Sequence, residues 1–452
     1  MLIFIENTPR TYSWGSKEAL PDMLGTAPNG EPQAELWLGA HPGGPATVAK
    51  AIAERCTLID LIESDPALYG VDGGQLPFLL KVLAIGAPLS LQAHPDLRQA
   101  REGFAREEAA GVPRDARDRN YGDPNHKPEL LVALSEVTAL SGFRPLAEAR
   151  VDLLGLARLA QLSGDDTGFA ALRFAADRLT GDEAEALRSA FLTWAFSAEP
   201  EVSRALEAMQ RLTNSAALTQ DPSPVENPSS DRREALRALI TEHPGDPGVL
   251  VSLLLHHVRL DPGEAVYLGA RQLHAYLSGI AVEVMAASDN VLRAGLTQKH
   301  VDVAELCRVL DYDELAEPRF LSTATAPGLV AWRPGIPDFQ LLRARLEDPE
   351  STRPGRALPG AARVVTIDAE HPLVLIVTAG RVRIERPEAE FDEVAAARRG
   401  QSLYISAGPP IRLTGDGEVF LATVGSAGSV DGGAGVSADA SAGASPSPIG
   451  II

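Results

Sequence analysis

Cysteine is almost missing from this chain of 452 residues: there are two, Cys56 and Cys307, far apart and without the spacing of a metal-binding pair. Their scarcity argues against a disulfide framework, and both read as buried thiols that behave as small hydrophobes. Positive charge is also short. The 41 Lys and Arg residues face 61 Asp and Glu, for a formal net charge of −20. Phosphate backbones and anionic membranes are bound by basic surfaces, so neither a nucleic acid nor a membrane is an expected partner. No apolar run reaches the length of a membrane span. Met1-Leu2-Ile3-Phe4-Ile5 stops at Glu6, with no basic start and no cleavage-type segment, and reads as a first strand instead of a signal peptide. A soluble cytoplasmic protein is the expectation.

What is present is enough apolar material for more than one core. The hydrophobic fraction is 45%, and the length suggests two or three domains. An anionic substrate would be repelled by the overall field, so it would need a local cluster of Lys and Arg inside its pocket. The chain is organised around Gln92-Ala93-His94, which follows the apolar run Phe78 to Ile85, the break Gly86-Ala87-Pro88 and Leu89-Ser90-Leu91. Alternate strand residues share a face, so Gln92 and His94 point the same way. Farther on, His126-Lys127-Pro128-Glu129 brings a carboxylate that could join them. An amide oxygen, an imidazole and a carboxylate suit a metal of borderline softness.

In chain order, strands and turns fill the first part. Trp14 reads either as an aromatic at a pocket rim or as a core residue before Gly15, and His41 sits at a loop mouth after Ala34 to Gly39. Residues 95–111 carry a helical pattern with mixed charge. From Leu146 to His257 the texture is helical, with apolar residues at three- and four-residue spacing in Ala147 to Leu162, Asp182 to Phe196, Glu201 to Leu218 and Arg232 to Ile240, and a loop at Asp221-Pro222-Ser223-Pro224. His256-His257 ends the last apolar run there and reads as structural. Strands return near Gly263, with His274 and Tyr276 on one face, as in a small antiparallel barrel that aims a ligand inward. A short helix is expected over Lys299 to Val309. Segments from Phe339 to Ala422 resemble a second, cupin-type barrel whose single histidine is His371. After Ser426 the Gly, Ala and Ser composition predicts a disordered tail.

Five segments together resemble the type I mannose-6-phosphate isomerases: Lys81 through Gln92-Ala93-His94-Pro95-Asp96, Asn125 to Glu129, Ala34 to Gly39, His274-Ala275-Tyr276, and Arg293 to Thr297, in family order over roughly the first 310 residues. The resemblance implies a fold that is mainly β with an inserted α-helical domain: two cupin-type (jelly-roll) β-barrels plus a helical domain. The catalytic cupin domain would comprise 1–145 and 258–318, the helical insert 146–257, the second cupin domain 319–425 and the tail 426–452. It also implies one Zn2+ per chain held by Gln92, His94, Glu129 and His274, an active-site arginine at Arg293, and interconversion of D-mannose 6-phosphate and D-fructose 6-phosphate.

The residue chemistry agrees with that activity. An aldose–ketose exchange removes a proton beside a carbonyl, and the enediolate formed needs a metal or cationic donor, the role expected of zinc and Arg293. Lys127 and Glu283 are the candidate bases. Lys127 is favoured, since neighbouring cations lower a lysine's pKa and weaken a carboxylate as a base. His126 and Asp289 are candidates for opening the sugar ring. Lys81, Ser90 and Arg144 are candidates for the phosphate, with Tyr276 and Trp14 as further substrate contacts. The expected partner is a small sugar phosphate, with a monomer as the working state. Two alternatives stand beside the isomerase: a cupin metalloenzyme of other sugar chemistry such as an epimerase, and a non-catalytic sugar-phosphate-binding regulator.

Overall fold

Along the strand Phe78–Ile85 every residue is buried, and alternate side chains enter two different cores. Phe78, Leu80, Val82 and Ala84 pack against Trp332, Phe339, Leu341, Val374, Ile376, Tyr404 and Phe420 of a second sheet. Leu83 and Ile85 face inward with Leu131, Val266, Leu268 and Tyr276. A strand covered on both faces reads as continuous apolar sequence, which leaves Lys81 as a deliberate exception on its inner side. The computed structural model describes residues 1–49, 56–214, 230–348 and 359–426.

Two antiparallel sheets of nine and ten strands and eleven helices make up the described residues. The nine-stranded sheet is organised by the long strand His274–Ala286. Its first half pairs with Gln92–Ala93 and Val137–Phe143, and its second half with Phe78–Ile85 and Glu129–Ala133. The change of partners occurs at Gly279, whose φ is +110° and where a Cβ would lie 2.4 Å from the carbonyl oxygen of Glu136. Only glycine tolerates that backbone and that approach. The strand therefore folds back on itself, and Tyr276 in one half donates its hydroxyl to Glu283 in the other at 3.0 Å.

In the ten-stranded sheet Leu373–Arg386 and Gly408–Thr423 form the long central pair. The first strand, Leu2–Glu6, was expected in the domain of residues 1–145, yet it pairs with Ser402–Ile405 here, and Thr47–Val48 lines up beside it. A short strand carries no label for its partner, so composition could not assign it to a sheet.

Five helices between Leu146 and Glu242 and the short helix Gly248–Ser252 share one apolar cluster. One of them, Asp166–Asp177, has no counterpart in the sequence reading. The cluster also takes in Leu91, Ala93, Leu273, Ala275, Leu292, Ala294 and Leu296, so the insert covers the outer side of the strands whose inner side carries Gln92, His274 and Arg293. His256 and His257 lie on the strand Leu255–Leu260 and not at a helix end. A short apolar run such as Val249 to Leu255 fits either state, and here it changes from helix to strand. The loop at 221–224 and the tail after 426 fall outside the described residues. Cys56 and Cys307 are free and half-buried. No helix of the described residues is long and apolar enough to cross a membrane.

Candidate metal centre

Strand pairing sets three side chains in a row: His274 opposes Gln92, and Gln92 opposes Arg293. Directly opposed residues of antiparallel strands project from the same face. Glu129 enters from the strand Glu129–Ala133, with its Oε1 3.3 Å from His94 Nε2 and its Oε2 3.4 Å from His274 Nε2. One ligand atom from each of His94, Glu129 and His274 lies within 4.8 Å of the others.

All three are buried, and His94 Nε2, His274 Nε2 and Glu129 Oε2 have no hydrogen-bond partner. Orphaned polar atoms are costly in a core unless something else satisfies them. His94 Nδ1 lies 2.7 Å from the Asn290 carbonyl and His274 Nδ1 3.0 Å from the Gln272 carbonyl. A carbonyl only accepts, so each Nδ1 carries a proton and each Nε2, directed at Glu129, is the ring atom available to a metal. Burial, with the Lys127 ammonium nearby, pushes His94 down to about 4. Burial would raise the Glu129 carboxyl, but Lys127 and His94 outweigh it and hold it well below the usual range. Two imidazole Nε2 atoms beside an ionised carboxylate, with the Gln92 amide opposite His274 in the strand register, are a donor set fit for a divalent cation such as zinc.

The centre opens into a cavity of about 630 Å³ lined by Trp14, Trp37, Lys81, Ser90, Tyr276 and Asp289, among others. Lys81 Nζ stands 3.2 Å from Glu283 and 3.9 Å from Glu35, and 5.1 Å from the centre of the Trp37 ring. Burial pulls the Lys81 ammonium down, but Glu283, Glu35 and Glu129 prevail and hold it above its ordinary value. The Glu283 carboxyl is raised, first by burial and then by Glu129. Lys127 Nζ lies 2.9 Å from Glu129. Asp289 stands 3.6 Å from His41 Nε2.

Arg293 and Lys299 also line the cavity, and among the described residues neither has a carboxylate within ion-pair distance. Burial lowers both, and Arg293 further lowers Lys299. The sequence marks Lys299 only as the start of a helix, which begins instead at Val303 and leaves Lys299 in the loop; the one signal for a site role is its place six residues after Arg293.

Two candidates lie elsewhere. Arg144 points into the helical insert, bonding the Asp152 carboxylate and the Leu253 carbonyl, and does not line the cavity. His126 turns toward the second sheet, where its Nε2 meets Asp338 at 3.0 Å. Adjacent loop residues face apart, and Lys127 takes the inward direction.

A residue the sequence did not single out for any role holds this arrangement. Asn290 is fully buried; its amide nitrogen donates to the carbonyls of Asp123 and Asn125 at 2.8 Å, and its amide oxygen accepts from the N–H groups of Gly122 and Asp123. Its own carbonyl meets His94. One residue thus joins a ligand ring, through its carbonyl, to the loop leading to Lys127, through its side chain. Asn290→Asp exchanges two donors for lone pairs that face carbonyl oxygens, so metal affinity should fall roughly 10- to 100-fold in a chelator competition. Unchanged affinity in a folded variant would refute the role.

The family profile for phosphomannose isomerase type I, catalytic domain, matches residues 2–146. The mannose-6-phosphate isomerase of Escherichia coli (strain K12) is 37% identical over 353 residues, covering 76% of this chain and 84% of that protein. The mannose-6-phosphate isomerase of Rattus norvegicus is 33% identical over 425 residues, covering 89% and 92%. A zinc-bound holo crystal structure of mannose 6-phosphate isomerase superposes with a TM-score of 0.76 at 31% identity, over 94% of this chain and 99% of that one.

Proposed function

The chain belongs to the type I mannose-6-phosphate isomerases, and from that premise we propose how its residues interconvert mannose 6-phosphate and fructose 6-phosphate. The reading rests on one observation above others: three buried ligand atoms converge without hydrogen-bond partners beside a cavity whose Arg293 and Lys299 have no carboxylate partner among the described residues.

Gln92, His94, Glu129 and His274 would hold one zinc ion, which when bound supplies Lewis acidity toward the sugar oxygens. Arg293, beside Gln92 in the strand register, stabilises the negative charge that develops as a proton leaves carbon. Lys127 carries the proton between C1 and C2. In its favour, both oxygens of the rival base Glu283 are already engaged, one by Tyr276 and one by Lys81. Glu283 is then the group that keeps Lys81 charged and fixed. Ring opening falls to Asp289, which lines the cavity near His41. Lys299 and Ser90 receive the phosphate, so the cationic end of the cavity offsets the repulsion expected from the chain's net charge of −20. In this reading each sheet closes as a cupin-type barrel, the second without a ligand set, in a cytoplasmic enzyme.

Exchange of the C2 proton of mannose 6-phosphate with solvent should accompany formation of fructose 6-phosphate and stop when a chelator removes the metal. A product other than fructose 6-phosphate, such as an epimer, would overturn the reading. Because binding of the remote phosphate holds the reacting carbons in position, unphosphorylated mannose should turn over with kcat/KM lower by about 1,000-fold or more. Comparable values for the two sugars would remove the role given to Lys299 and Ser90.

A further inference from the structure

The helical insert meets the cavity at a single turn. Its helix Ser230–Glu242 ends with Glu242 and His243 lining the cavity wall, and the chain then turns through Gly245 to Asp246. Asp246 reaches out of the insert. Its Oδ1 accepts from the N–H of Gly248 at 2.7 Å, while its Oδ2 accepts from the N–H of Thr297 at 3.3 Å. Thr297 belongs to the loop between Arg293 and Lys299, the two cavity cations without a carboxylate partner among the described residues.

That loop needs holding. Gly295 has φ +101° and Leu296 has φ +53°, and a leucine in the left-handed region persists only where its surroundings impose it. The surroundings here come from the insert and from one strand. The Leu296 side chain is buried in the helical core cluster, and the Leu91 N–H and carbonyl pair with Gly295 and Ala294. A Cβ on Gly295 would stand 2.5 Å from Asp246 Oδ1, and one on Gly248 would stand 2.9 Å from the Leu296 nitrogen and 3.0 Å from the Ala294 carbonyl. Insert and loop are in backbone contact, with no slack between them.

We propose that Asp246 is a positioning residue through which the helical insert fixes the loop bearing Arg293 and Lys299, and so sets the enzyme's affinity for the phosphate of its substrate. The inference rests on the phosphate site proposed above. Asp246 touches no substrate in this account. It holds a strained backbone in the shape that carries Lys299 to the cavity wall, while Arg293 is held by its pairing with Gln92, and it gives the insert a function in substrate selection.

The test uses the full-length, zinc-loaded chain and inorganic phosphate as the probe, with binding followed by calorimetry and by competitive inhibition. Asp246→Ala should weaken phosphate binding roughly tenfold and raise KM for mannose 6-phosphate to match, with kcat within about threefold and zinc content unchanged. Asp246→Asn, which keeps one acceptor oxygen, should recover part of the loss. Gly248→Ala keeps the Asp246 carboxylate but crowds its Oδ1, at 2.9 Å, together with the same loop; it should give the same split, and it carries the test if Asp246→Ala does not fold. Unchanged phosphate affinity in a folded variant, or a fall in kcat at constant KM, overturns the proposal. Should the wild-type chain bind phosphate but fail to isomerise mannose 6-phosphate, the assigned activity fails and the role of Asp246 in anion binding is still decided by the calorimetry.

Discussion

Glu129→Ala should leave the chain unable to retain zinc and reduce isomerisation by about 1,000-fold or more. Glu129 is the one carboxylate in the buried trio, and both histidine Nε2 atoms and the Lys127 ammonium converge on it. Without it the Lys127 charge is buried with no partner at that distance, and two neutral imidazoles and an amide cannot offset the charge of a divalent ion. Glu129→Gln makes the sharper comparison, because it keeps shape and an acceptor oxygen while removing the charge; it should retain more metal than the alanine variant and still lose most activity. The measurement is zinc per chain by elemental analysis beside kcat, with excess metal supplied. Full activity in metal-depleted Glu129→Ala would sink the assignment of this site.

Lys127→Met should behave in the opposite way toward the metal. Removing an ammonium 2.9 Å from a ligand carboxylate takes away a repulsive charge, so zinc should bind at least as tightly. Yet kcat should drop by about 100- to 10,000-fold, the usual worth of a positioned acid–base group, with little change in KM. Separating metal retention from turnover is what distinguishes a proton carrier from a structural lysine. The companion is Glu283→Gln, which releases Lys81 and Tyr276 and should cost stability, as any broken buried ion pair does. If the glutamine variant, properly folded, lost the larger share of kcat while Lys127→Met stayed active, the two residues would have to exchange roles.

Much of the framework could be read from the chain because burial and periodicity coincide. The run Phe78 to Ile85 is a strand over the span expected, and the helix Leu146–Leu162 begins within a residue of its apolar pattern. Strand alternation already set Gln92 and His94 on one face with Glu129 as a third donor, but the place of His274 beside them was legible only through motif resemblance, since no local rule brings position 274 beside position 92. Direction was harder. His126 and Lys127 are neighbours in a polar loop, and nothing local says that one faces Asp338 and the other Glu129. Arg144 follows a strand that leads toward the cavity, but an acid two turns into the next helix, Asp152, captures it. Asn290 and Asp246 act through hydrogen bonds to backbone atoms of distant segments, and such bonds leave no mark on residue type at the other end.

The pairing of Leu2 with Ile405 has a bearing on how the molecule is made. A ribosome adding about 5–20 residues per second delivers Ser402–Ile405 roughly 20–80 s after the first strand has emerged. Throughout that interval Leu2-Ile3-Phe4-Ile5, a short apolar stretch of the kind that adds to foreign sheet edges, has only the two-residue strand Thr47–Val48 on one side and an open edge on the other. The nascent chain must shield that open edge until the later sheet is translated, and a variant lacking either strand would leave the other without its mate.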